Sequence, residues 1–366
     1  MTNTLQFRHC EERSDDAIQA TVRLMETTQV ILTRRTLLAS TAALIAAPAF
    51  ADAPGEAAAT VRRLSPRLDR IIPPAAKVEV IAQNIKWAEG PVWVKDGGFL
   101  LFSDPPANIM RRWSARDGVS VFMTPSGTAG LDPKLVREAG SNGLALDPQG
   151  RLLIANSGGG SIDRVDLKTR ARTTLVSKYD GKRLNSCNDL SVSKTGAIYF
   201  TDPPYGFTQG DASPLKEAKQ NGVYRFVEGQ PLQLVDGTLP RPNGIALSPD
   251  EKRLFVSNSD EKDRKIVVYD LGPDGLPTGP AKLFLDANGM KGPGNPDGMK
   301  IAADGTMFCS SPRGMWILSP AGEKLGLIED GAPIANCCFG EDGATLFMAS
   351  NTRILRLRLG INGWRA

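Results

Sequence analysis

NDLSVSKTGAIYFTD, residues 188–202, opens on an amide and a carboxylate, alternates briefly, turns at Gly196 and ends in an apolar run that closes on Asp202. Alternation on one side of a Gly-containing turn and an apolar stretch on the other is the pattern of a β-hairpin. The same design recurs in EGPVWVKDGGFLLFSD from Glu89, NGLALDPQGRLLIANS from Asn142, NGIALSPDEKRLFVSNS from Asn243, DGMKIAADGTMFCSS from Asp297 and NCCFGEDGATLFMAS from Asn336. The leading residues are 53, 46, 55, 54 and 39 positions apart. Units of this size, with further strand-like stretches such as SIDRVDLKT and RTTLVSK between the hairpins, accommodate four strands each.

The expected fold is therefore all-β, a six-bladed β-propeller with four strands per blade. Radial packing lets such units bury their faces against one another without long exposed edges. KVEVIAQ from Lys77 is expected to pair with ILRLRL from Ile354 and so close the ring. The register of the sixth copy is the one open to a slip by a single residue. The organisation read from the chain is a leader over residues 1–51, a linker over 52–76 and the propeller over 77–366.

Composition agrees with a turn-rich globular protein: 41% hydrophobic and 23% charged, with 37 Gly and 26 Pro in 366 residues. The formal charge of +4 is small and dispersed, so no nucleic-acid partner is expected. The single histidine, His9, falls in the leader. Without imidazole, Ser-His-Asp and Cys-His machinery are excluded, a metal site must use oxygen or sulfur ligands, and acid–base chemistry falls to carboxylates. Cys187, Cys309, Cys337 and Cys338 lack the spacing of a zinc site or a disulfide framework. Adjacent Cys337 and Cys338 read as small core residues.

Thr33-Arg34-Arg35-Thr36-Leu37-Leu38 leads into an apolar run from Leu37 to Ala49 and the triplet Ala49-Phe50-Ala51. That is a signal peptide with cleavage before Asp52, its apolar run too short to span a membrane. The arginine pair matches a twin-arginine export signal, and an ordinary Sec signal that happens to hold two arginines is the alternative. Both routes make the protein periplasmic or secreted. Met25 offers an internal start nearer the basic region, so residues 1–24 are expected to be untranslated in the native protein. No cysteine marks the cleavage site, so no lipid anchor and no stable membrane anchor are expected.

Equivalent positions on the innermost strands of a propeller lie at one height, so Glu89, Asn142, Asn188, Asn243, Asp297 and Asn336 should converge on the axis. Asn-Gly and Asp-Gly also serve as plain turn formers, but that leaves the carboxylate of Glu89 unexplained. Buried charges need a counter-charge and buried amides need hydrogen bonds, and one divalent cation satisfies both. All-oxygen ligation with two negative charges suits Ca²⁺ first, then Mg²⁺ or Mn²⁺, with Zn²⁺ last.

The stretch RLNSCNDLSVSKTGAIYFTDPPYG from Arg183, with AEGPVW at Ala88, PNGIALSPD at Pro242, PDGMKI at Pro296 and CCFG at Cys337, resembles the senescence-marker-protein, gluconolactonase and luciferin-regenerating-enzyme family. The resemblance covers most of residues 77–360. It implies a metal-dependent lactonase that opens a sugar-type lactone, with the metal held by Glu89, Asn188, Asn243 and Asp297. It further implies Asp297 as general base and Asn142 beside the metal, facing substrate. The chain departs from the family at Cys187, where bacterial members have Pro, and at Ser186, where the animal member has Arg. Arg183 could reach substrate from the same loop or lie exposed on it. Tyr205 reads as a mouth residue or as an aromatic packed on Pro203-Pro204. Two rival readings stand beside this one: a phosphotriester hydrolase on the same metal, and a non-catalytic ligand-binding propeller with a structural metal.

Overall fold

A computed structural model describes residues 59–364. The leader over residues 1–51, its arginine pair and its cleavage point lie outside the described residues. Among the described residues, six antiparallel sheets surround an axis. Their innermost strands are Glu89–Val94, Ser141–Leu146, Leu190–Val192, Pro242–Leu247, Met299–Ile301 and Ile334–Gly340. Each touches the next, and the last touches the first, which makes the molecule a six-bladed β-propeller. Val78–Ala82 pairs antiparallel with Arg353–Arg358, so the ring closes with one strand from the N-terminal side and three from the C-terminal end. Trp93 of the first blade stacks on Phe347 of the sixth at 5.4 Å between ring centroids across that joint.

The segment expected to be a linker carries structure from residue 60. Thr60–Arg63 adds a fifth, outer strand to the blade of Met299–Ile301, antiparallel to Lys324–Glu329. The short helix Leu68–Ile71 then buries Leu68 and Ile71 in a cluster with Phe308, Leu346 and Leu355. Four residues, TVRR, are too short and too charged for alternation to announce a strand; pairing to a ready sheet edge makes it one. Among the described residues no helix is long and apolar enough to cross a membrane. All four described cysteines are buried and unpaired.

The repeat has a local cause that positions the axis residues. In four blades the ladder slips beside the leading residue: between Glu89 and Val92, Ser141 and Leu144, Pro242 and Ile245, and Ile334 and Asn336. Such a bulge re-aims a side chain and ends regular pairing. The glycine that follows is not there to make a turn. A Cβ on Gly244 would lie 2.1 Å from the backbone oxygen of Asp297, and one on Gly143 would lie 2.7 Å from that of Asn188. Each glycine makes room for the leading residue of the next blade.

Candidate active site

A cavity of about 960 Å³ opens where the innermost strands begin, and Glu89, Asn142, Asn188, Asn243 and Asp297 all line it. Five of the six residues expected on the axis are thus brought together. Asn336 is in the ring but does not line the cavity. Its Oδ1 accepts the Cys337 N–H at 2.8 Å, which turns its Nδ2 toward Asp189 Oδ2 at 3.3 Å and Glu89 Oε2 at 3.5 Å. Asn336 therefore braces two carboxylates from below.

The amide of Asn243 is oriented by its neighbours. Its Nδ2 donates to Ser259 Oγ at 2.9 Å, and the Ser259 hydroxyl in turn donates to the Pro296 carbonyl. That chain leaves Asn243 Oδ1 buried and without a donor among the described residues, and Asn142 Oδ1 is in the same condition. Two acceptors left so beside two carboxylates are what a cation would satisfy. Among the described residues no cluster of three or more His, Cys, Asp or Glu side chains is placed to hold a metal ion, so a cation here would draw on the amide oxygens as well.

Loss of hydration pushes the Glu89 carboxyl up to about 7, with the charge of Asp189 adding to the rise and the Gly90 N–H opposing it. Burial, and then the charges of Glu89 and Asp189, push Asp297 well above the usual carboxylate range. Of the basic residues in the lining, Arg241 is already paired with Asp211 at 2.6 Å.

The remaining expected residues divide. Tyr205 lines the cavity with its hydroxyl buried, near Ser259 but without a well-formed hydrogen bond. Arg183 does not belong to the lining. Its guanidinium donates to the Leu184 carbonyl at 2.6 Å and the Gly158 carbonyl at 2.9 Å and lies over the Phe207 ring. Those carbonyls occupy its donors, so Arg183 braces loops where substrate contact was expected.

Sequence reading missed Arg137, Glu138, Arg241 and Ser259 in the lining, and Asp189 beneath it. Asp189 had a visible signal: it follows the leading residue of the third copy, where four copies have Gly and the sixth has Cys. Glu138 had none, since it sits in the irregular connection between the first two blades.

A family model described as the SMP-30/Gluconolactonase/LRE-like region matches residues 87–352. A gluconolactonase of Zymomonas mobilis is 50% identical over 313 residues, 83% of this chain and 87% of that protein. The solved structure of a gluconolactonase from Xanthomonas campestris superposes with a TM-score of 0.71 at 29% identity, covering 83% of this chain and 98% of that one. The diisopropyl-fluorophosphatase of Loligo vulgaris is 25% identical over 215 residues, 56% of this chain and 63% of that protein.

Proposed function

The chain belongs to the SMP-30/gluconolactonase/LRE-like family, and from that premise we propose that it is a metal-dependent hydrolase opening a sugar-type lactone to the hydroxy acid. The observation that carries the metal is the buried, donor-less amide oxygen of Asn243 in one cavity lining with Glu89, Asn188 and Asp297. Glu89, Asn188, Asn243 and Asp297 would hold one divalent cation, Ca²⁺ before Mg²⁺, Mn²⁺ or Zn²⁺. Bound there, the cation supplies a Lewis-acid charge that polarises a carbonyl.

The chain's own groups do the rest. Asp297 takes a proton from the attacking water. Asn142 offers its amide to the lactone, and the Tyr205 hydroxyl, without a well-formed hydrogen bond among the described residues, is available to donate to substrate. The cavity wall keeps the lactone against these groups.

Hydrolysis assays on a panel of aldonolactones and a panel of phosphotriesters test the reading. Lactone opening is the expected result. Turnover of phosphotriesters alone would make the site that of a phosphotriester hydrolase. No turnover of either by metal-loaded protein would leave a ligand-binding propeller.

The ligands are expected to contribute unequally. Removing a charged ligand leaves the cation under-neutralised, whereas water can replace an amide. Glu89→Gln should weaken metal binding by ~10²-fold or more on Coulombic grounds, against about tenfold for Asn243→Ala, where a water can take the vacated place. Titration calorimetry checks this, and equal affinities would contradict Glu89 as a direct ligand.

Export rests on the sequence around Arg34 and Arg35. Their joint replacement by Lys should leave uncleaved precursor in the cytoplasm on fractionation, and a chain started at Met25 should export like the full one. Unchanged export of the Lys pair would point to the Sec route. Failure of the Met25 chain alone would remove the internal start.

A further inference from the structure

The connection between the first and second blades carries a carboxyl that the mechanism above does not use. Glu138 lies four residues before Asn142 and lines the same cavity as Asp297 and Tyr205. The backbone N–H groups of Arg137 and Glu138 both reach the Gly206 carbonyl, at 2.9 and 3.4 Å, and Arg137 Nε donates to the Tyr205 carbonyl at 2.6 Å. These bonds strap the Glu138 loop to the loop that carries Tyr205. They hold the side chain at the cavity wall, where it is only 15% exposed.

Glu138 shares the lining of one cavity with Glu89, Asp297 and Tyr205, and its charge adds a small part to the rise of all three. Its ion-pair partner among the described residues, Arg137, approaches no closer than 3.5 Å and is itself 55% exposed, so the pair is weak. Among the described residues no hydrogen bond reaches the Glu138 carboxyl. The Glu138 carboxyl is thus left free at the cavity wall to meet a ligand. Loss of hydration pushes its carboxyl up to about 7, Arg137 opposing, so a proton resides there part of the time near neutrality.

We propose that Glu138 is a second acid–base residue of the lactone opening: the proton donor to the departing ring oxygen. The inference rests on the lactonase reading. Water oxygen bonds to the carbonyl carbon while one of its protons passes to the Asp297 carboxylate. The acyl carbon to ring oxygen bond then breaks, its electron pair leaves with the ring oxygen, and that oxygen takes the proton of Glu138. Asp297 ends protonated and Glu138 ionised, and one proton exchanged by each with solvent restores both. A sugar lactone expels a strongly basic alkoxide, the case in which a donor matters most. Asp297 has just received a proton from water and without a second carboxyl would itself have to return that proton to the ring oxygen.

The test is a leaving-group series. Metal-saturated wild type, Glu138→Gln and Glu138→Asp are assayed on lactones whose departing oxygens run from alkoxide, in aldonolactones, to phenolate, in dihydrocoumarin. For Glu138→Gln, kcat should fall by ~10²-fold or more on the alkoxide lactones and stay near wild type on the phenolate lactone, which leaves unaided. Glu138→Asp, which keeps the carboxyl, should recover part of the lost turnover and shows that the position tolerates change. An equal fall across the series would overturn the assignment in favour of a merely structural role. So would no fall at all. A loss of metal affinity in Glu138→Gln like that of Glu89→Gln would make Glu138 a ligand and overturn it also. Wild type that opens none of the lactones would remove the lactonase reading itself, and this assignment with it.

Discussion

Asp297→Asn is expected to lower turnover by ~10² to 10⁴ even when the metal site is filled, the usual cost of losing a general base. The substitution keeps the side-chain size and one ligating oxygen. It removes a negative charge and the only group at that position able to take a proton. The backbone there is held independently of the side chain: the Asp297 N–H donates to the Ser310 carbonyl at 3.3 Å, and the Ser310 N–H donates back to Gly298 at 3.0 Å. The variant should therefore fold and present its amide in place. Loosened metal binding accounts for part of any loss, and excess metal separates the two effects. Recovery of more than about a tenth of wild-type turnover at saturation would make Asp297 a ligand only, since a lost base costs more than that.

A second large effect is expected far from the chemistry, at Arg353. Its Nη2 meets Asp330 Oδ1 at 2.6 Å and its Nε meets Oδ2 at 3.0 Å, with the two side chains 6% and 0% exposed. Asp330 directly follows the blade-five strand Lys324–Glu329, and Arg353 begins the strand that receives Val78–Ala82. The pair thus ties blade five to the blade that closes the ring, and the Ser350 hydroxyl also donates to Asp330. Arg353→Ala should cost ~3–5 kcal/mol, because it strands a buried charge. The midpoint of denaturant unfolding should fall with little change in slope. The double variant Asp330→Ala/Arg353→Ala should lose less than the sum of the single losses. A loss for Arg353→Ala below ~1 kcal/mol, the range of exposed pairs, would mean that the charge is relieved by water.

Much of the ring was legible because repetition multiplies weak signals. A lone Asn-Gly is ambiguous, but five of the six leading residues line one cavity because each copy places its leader at the same height. The closing strand was legible because Val78–Ala82 alternates and the last blade lacked a partner. What stayed hidden depends on contacts that no period encodes. Asn336 leaves the cavity lining and turns toward Asp189 and Glu89 as its Oδ1 is taken by the Cys337 N–H. Arg183 turns to backbone carbonyls that only the folded loops bring near it. Glu138 enters the site through a connection with no periodicity. Thr60–Arg63 becomes a strand only because Lys324–Glu329 offers it an edge.

Whether the axis holds one catalytic cation among Glu89, Asn188, Asn243 and Asp297 is decided by stripping the purified mature protein with chelator, verifying its metal content by mass spectrometry, and following aldonolactone opening as Ca²⁺ is titrated back. The expected result is loss of turnover on stripping and its return in proportion to bound metal, saturating at one ion per chain. Full turnover in protein shown to be free of metal would contradict it.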